Sequence, residues 1–390
     1  MKKNVCLFFL ALLLSCKSAK IFTSGSVKMS NTGVETIPVQ FINNLPLINV
    51  TINEKDYVFI FDTGAPTVIS TAIYNELELK PIKKGTVSDS KNNRNTQILT
   101  RVPQIKLGEA TFHDIGCVVI DFSVPELSCY NIQGIIGANQ MAKAIWKVNY
   151  SEEKISFTKD STQFNLSDFN ITFPFVKKPQ QTPLLKSRLF GENTMLTFDT
   201  GYTGKIEISN FSETIMDTVK KIKNVAVEGV STVGIYGGGN KEVNYRFVTD
   251  SVTIANTVFE NVLMETNTSS LLGNTFLKNY EFVMDWTKSK IHLKAINTEK
   301  ESFNTFGFSY RFIENKPIIS IVVQDSLNPI KLGDEIISIN NMNLENLTTV
   351  EACNYYINRI EKNLKEINIA VRRNDTILNF KLDKKTLLKE

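Results

Sequence analysis

The chain is poor in histidine, nearly balanced in charge and without a long apolar run. Only two histidines occur in 390 residues, His113 and His292. A Ser–His or Cys–His nucleophile pair needs a histidine base held by an orienting group. His113 lies in the hairpin-like stretch Gly108-Glu109-Ala110-Thr111-Phe112-His113, and His292 alternates in a strand pattern, so both read as strand residues. There is no His-Glu-x-x-His and no Cys/His cluster at zinc spacing. No metal or other cofactor is expected, and a hydrolase built on this chain has to work with carboxylates. The net charge is only +4. Without Lys2 and Lys3 it falls to about +2, which gives no argument for a nucleic-acid partner. Lys83-Lys84 and Lys177-Lys178 read as solvated loops.

What the chain does have is Asp-Thr-Gly twice, each copy straight after an apolar run. The first is Val58-Phe59-Ile60-Phe61-Asp62-Thr63-Gly64-Ala65, and the second is Met195-Leu196-Thr197-Phe198-Asp199-Thr200-Gly201-Tyr202. Two carboxylates at equivalent strand ends can share one small site, where one is protonated and the other ionised. A lone Asp-Thr-Gly also makes an ordinary turn. Here each copy is followed by an apolar-apolar-Gly segment. Gly137 ends Gly134-Ile135-Ile136-Gly137, 75 residues on (62 to 137), and Gly273 ends Leu271-Leu272-Gly273, 74 residues on (199 to 273). Both copies then run into a hairpin, Trp146–Tyr150 with Lys154–Phe157 and Phe282–Trp286 with Lys290–Leu293. A repeat this long and in matching order reads as a duplicated lobe.

At these residues the chain resembles the aspartic proteases, the pepsin and retroviral-protease group, over about residues 34 to 297. The resemblance implies duplicated, mostly β, barrel-like lobes with a dyad active site between them. Asp62 and Asp199 would be the catalytic pair. Thr63 and Thr200 would buttress the two loops across the dyad. Gly64 and Gly201 would let the loops turn, and Gly137 and Gly273 would make room for a strand crossing behind each loop. A single chain supplies both lobes, so dimerisation is not required. Two departures stand out. Ala65 and Tyr202 follow the glycines where pepsin-like enzymes place Ser or Thr, which implies a dyad less acidic than pepsin's. Ser270 precedes Leu271 where the first copy has Gly134.

Short strands are expected at 36–41, 47–52, 57–61, 102–107 and 117–121, then at 195–198, 247–254 and 258–264. A linker with Pro174 and Pro179 spans 169–181. Hairpin flaps that close over the dyad are expected at 87–99 and 233–243; Gly237-Gly238-Gly239 suits a mobile flap tip or a plain loop, and the alternative of a phosphate cradle lacks a P-loop lysine pattern and a following helix.

From about Ser302 the character changes. Thr305-Phe306-Gly307-Phe308, Gly333-Asp334-Glu335-Ile336 with Ile339-Asn340, and a helical stretch at 348–361 resemble a PDZ domain. The resemblance maps a carboxylate-binding loop to Thr305–Phe308, with Thr305 in place of its first glycine. Such a module takes a peptide by adding it to a sheet edge. A capping module that binds nothing is the other reading.

The N-terminus starts Met1-Lys2-Lys3, and the apolar run Val5–Leu14 is too short to span a bilayer. Leu13-Leu14-Ser15-Cys16 resembles a bacterial lipoprotein signal, implying lipidation of Cys16 and a cell-envelope location. An ordinary signal peptide with a stray cysteine is the alternative. The expected organisation is a signal at 1–15, a tether at 16–33, lobes at 34–165 and 166–300, and the PDZ-like module at 301–390. No clear pro-segment separates Cys16 from the first strand. Of the remaining cysteines, Cys117 and Cys129 either pair or stay as buried thiols. Cys353 reads as a packed helical residue. The function expected is a membrane-anchored aspartic endopeptidase acting on a peptide or protein substrate. A non-catalytic peptide-binding lipoprotein and a structural envelope protein are the alternatives.

Overall fold

The computed structural model describes residues 20–30, 33–88, 93–123, 125–230, 233–234, 237–238, 240–297 and 300–390. Cys16 and the expected signal lie outside the described residues. The fold is mostly β, with barrel-like sheets, as the sequence suggests. No helix among the described residues is long and apolar enough to cross a membrane.

Two closed rings of strands dominate. The first runs Leu45–Ile52, Lys55–Asp62, Ile132–Gly137, Val68–Ser70, Ala110–Ile120, Arg94–Leu107 and back to Leu45–Ile52. The second runs Pro183–Leu189, Glu192–Phe198, Leu271–Leu272, Ile206–Ser209, Thr257–Asn267, Glu242–Ile254 and back to Pro183–Leu189. Strand for strand the order is the same, so the repeated sequence folds as a repeated ring. In each ring the segment ending in apolar-apolar-Gly is parallel to the strand before Asp-Thr-Gly and antiparallel to the strand after it. Burial on both faces beside a parallel neighbour explains the apolar run Val58–Phe61 within Lys55–Asp62. Phe59 and Phe61 face the main core while Ile60 joins a second cluster on the other side.

The hairpins after each ring meet in one six-stranded sheet. Ile145–Asn149 pairs with Tyr280–Asp285, placing Trp146 opposite Met284. Trp146, Phe157, Phe61 and Phe112 stack beneath it in a core that spans both rings. The expected linker is not plain coil, since Ile171–Pro174 joins this sheet against Lys290–Ala295. Both prolines escape the usual strand penalty: Pro174 closes that edge strand and Pro179 lies beyond it in the following turn.

Part of the expected tether is also folded. Ser26–Lys28 pairs with Ala110–Ile120, and Ile21 is buried. Gly116 admits it, because a Cβ there would meet the Ile21 carbonyl oxygen at 2.1 Å.

The C-terminal segment forms its own small core around Tyr310, Phe312, Ile336, Ile339, Tyr355 and Val371. Its helix Thr349–Asn358 starts with a reciprocal Thr348/Glu351 capping box. It is joined to the rings on two sides. Lys316–Val323 pairs with Asn224–Gly229, the strand leading to the expected second flap. On the other side, Cys129 is disulfide-bonded to Cys353 across 224 residues. This overturns the Cys117–Cys129 pairing, the free-thiol reading of Cys129 and the packed reading of Cys353, while the buried-thiol alternative holds for Cys117. Cys117 is a buried free thiol, pushed up by burial, and Cys353 is a cross-link rather than a packed helical residue. Sequence spacing carries no information on which surfaces the C-terminal segment touches.

Candidate active site

Asp62 ends the strand Lys55–Asp62, and Asp199 directly follows Glu192–Phe198. The structure brings the two loops face to face. The Thr63 N–H donates to Thr200 Oγ1 at 3.0 Å, and the Thr200 N–H donates to Thr63 Oγ1 at 3.0 Å. Each hydroxyl then donates onward to the opposite strand, Thr63 to the Phe198 carbonyl at 2.6 Å and Thr200 to the Phe61 carbonyl at 2.7 Å. Both threonines are buried, and these four bonds satisfy both of their N–H groups and both of their hydroxyls.

The two glycines set how closely the loops approach. A Cβ on Gly64 would lie 2.5 Å from Asp199 Cγ, and one on Gly201 would lie 2.4 Å from Asp62 Cγ. Each carboxyl therefore occupies the space that a side chain on the opposite loop would fill. Behind the loops, a Cβ on Gly137 would meet the Pro66 carbonyl carbon at 2.1 Å, and one on Gly273 would meet Tyr202 Cδ1 at 2.4 Å. The Ala138 N–H donates to the Ala65 carbonyl at 2.9 Å, and the Asn274 N–H donates to the Tyr202 carbonyl at 2.8 Å. Ser270 is accommodated because its hydroxyl points away and accepts from the Ser209 N–H at 2.9 Å. At the first-ring counterpart a Cβ on Gly134 would strike the Phe59 ring at 2.3 Å.

The two carboxyls are not equivalent electrostatically. Burial pushes Asp62 above the usual carboxylate range, while the N–H groups of Gly64 (2.6 Å) and Ala65 (3.1 Å) on its Oδ1 hold it back. Asp199 is pushed well above that range, first by burial and then by the charge of Asp62 beside it. Both carboxyls are raised by burial, and their proximity makes them a pair that shares one proton.

Several contributors were not singled out from sequence. Asn274 Nδ2 donates to the Thr200 carbonyl at 2.6 Å and to the Asn44 carbonyl at 2.7 Å, tying the second loop to a turn of the first ring. Asn139 Oδ1 accepts from the Thr67 N–H at 2.7 Å in the first copy. An asparagine within two residues of both Gly137 and Gly273 was the available signal. Tyr202 is anchored by its hydroxyl, which donates to Glu265 Oε1 at 2.5 Å, and Glu265 is paired with Arg246. Thr182, from the segment between the rings, donates to the Gly64 carbonyl at 3.2 Å.

The hairpin expected as the first flap has its strands at Lys83–Ser88 and Arg94–Leu107, with 89–92 outside the described residues. In the second, Val233–Gly234 pairs with Gly237–Gly238, and the rest of the tip lies outside the described residues. Thr305–Phe308 lies at the start of the C-terminal module, with Gly307 at φ +91°. His113 and His292 sit in strands, as read from the sequence.

The fold and the paired loops together define a β-rich architecture consistent with the aspartyl proteases. A family model described as aspartyl protease matches residues 48–140, which include Asp62 and Gly137. That match supports an aspartyl protease family and, in general terms, protease activity. No curated protein matches the chain.

Proposed function

We propose that the chain is an aspartic endopeptidase in which Asp62 and Asp199 activate a water molecule. The observation that carries this reading is the reciprocal Thr63/Thr200 clamp, which costs the fold buried polar groups yet leaves two carboxyls adjacent. Binding alone has no need of two carboxyls held against each other.

In this reading the ionised Asp62 takes a proton from the water as its oxygen attacks the scissile carbonyl carbon. The proton on Asp199 passes to the carbonyl oxygen, giving a gem-diol. The proton held by Asp62 then goes to the amide nitrogen and the C–N bond breaks. Asp199 recovers a proton from a diol hydroxyl. No covalent enzyme intermediate forms. An extended peptide lies under the hairpins 83–107 and 224–254.

The finer proposals are these. Cys16 carries a lipid that anchors the protein to the bacterial cell envelope. The C-terminal module is PDZ-like and presents a peptide groove between Phe308–Ile313 and the helix Thr349–Asn358. Binding of a statine-type peptide, which mimics the diol, tests the dyad. It is expected with the wild type and lost in Asp62→Asn, and equal binding to both would overturn the dyad reading.

A further inference from the structure

Among the described residues, the strand Phe308–Ile313 pairs with Lys316–Val323 alone. On the helix Thr349–Asn358, Tyr355 and Tyr356 pack edge-on against Phe312 of this strand. An edge beside a helix is where an extended peptide adds to such a module. In this chain that place is taken. The short helix Pro125–Ser128 of the first ring lies against Phe308–Ile313. One residue later, Cys129 is bonded to Cys353 on the facing helix. Ala352 and Tyr355 turn into the module's core, whereas Cys353 and Tyr356 lie on the adjoining, partly buried face. Tyr130 packs edge-on against Tyr356, ring centroids 6.0 Å apart, and its hydroxyl accepts from Asn43 Nδ2 at 2.9 Å. The same Asn43 Nδ2 donates to the Ile357 carbonyl at 3.2 Å.

The module's own polar groups are committed as well. Arg359 lies over the rings of both Tyr310 and Tyr356, and its Nη2 donates to the Tyr310 carbonyl at 3.1 Å. The Gly307 N–H donates to Thr305 Oγ1 at 2.9 Å, so the threonine in the first position of the loop occupies a donor that a peptide carboxylate would use.

We propose that the groove is shut in cis, with the first-ring segment 125–130 as its occupant and Cys129–Cys353 as a reducible latch that holds it there. The inference rests on the peptide-groove reading of the module given above. Both cysteines are partly buried rather than enclosed in a core. A dithiol can reach the bond. Its thiolate attacks one sulfur, the other leaves as a thiolate, and the second thiol of the reductant resolves the mixed disulfide. The products are two protein thiols and the oxidised, cyclised dithiol. The segment then leaves, and Phe308–Ile313 accepts an extended peptide.

The test is hydrogen exchange on the full chain carrying Asp62→Asn, so that neither activity nor self-cleavage enters the readout. Three samples are compared: oxidised, treated with dithiothreitol, and the Cys129→Ser/Cys353→Ser double variant. Opening is expected to speed exchange about tenfold or more in Phe308–Ile313 and in 127–131, while Glu335–Ile339 and Glu366–Arg373 stay protected. A fluorescent peptide copying residues 121–133, with serine for Cys129, is expected to bind only the opened chain. Unchanged exchange in Phe308–Ile313 after reduction and in the double variant would overturn the latch. Faster exchange throughout the module would overturn it too, by making the disulfide a staple of the fold. An opened edge that ignores the peptide would overturn the groove reading beneath it.

Discussion

Thr63 and Thr200 hold each other: each accepts the other's backbone N–H at 3.0 Å, and each donates to a carbonyl of the opposite strand. The contact is symmetric, buried and independent of any ligand. It fixes the distance between two loops that are 137 residues apart in sequence.

Thr63→Ala and Thr200→Ala should each destabilise the fold by about 1–3 kcal/mol, because a buried N–H and a buried C=O lose their partner. The double variant should cost less than the sum, since both singles break one network. Urea unfolding of the three variants measures this, and full additivity would show that the two threonines act separately.

Gly64→Ala and Gly201→Ala should abolish activity with the rings intact. The added Cβ would fall 2.5 Å and 2.4 Å from the opposite carboxyl carbon, which forces the pair apart. A wild-type circular dichroism spectrum with hydrolysis lowered about a thousandfold or more is the expected result.

The dyad should make stability depend on pH. Both carboxyls have raised values in the folded chain and ordinary ones when unfolded. The folded state is therefore favoured by protonation. That contribution is complete below the ordinary carboxylate range and is lost as pH rises through the raised folded values. Asp199→Asn places a neutral group there without the proton uptake that folding demands of the acid. Its Tm should exceed the wild type's by about 2–4 °C near neutral pH. The difference should vanish near pH 3, and a constant difference at all pH values would contradict the account.

Tyr202→Phe should lower stability by about 1–2 kcal/mol, because Glu265 loses a buried donor while keeping Arg246. Glu265→Gln in the same background should cost further rather than recover the loss, because Arg246 then loses its ion-pair partner.

Much of the site was legible because chemistry and repetition coincide there. Asp62 and Asp199 stand out through the repeated triplet, and Gly137 and Gly273 through their matched offsets. The unbroken apolar run before Asp62 announces a strand buried on both faces. What was hidden depends on surfaces meeting across long separations. Cys129 and Cys353 are 224 residues apart, and no local pattern marks them as partners. Ser26–Lys28 looked like tether because its composition is polar, yet it only needed an open edge at Ala110–Ile120. The segment 169–181 looked like a linker because of its prolines, and Ile171–Pro174 became the edge strand of the shared sheet.

The most direct measurement is cleavage of a random peptide library between pH 3 and 8 by the wild type, Asp62→Asn and Asp199→Asn. The account predicts cleavage by the wild type alone, falling at the acid end as Asp62 is protonated and at the alkaline end as Asp199 loses its proton. Full cleavage by either variant would contradict the shared role of Asp62 and Asp199.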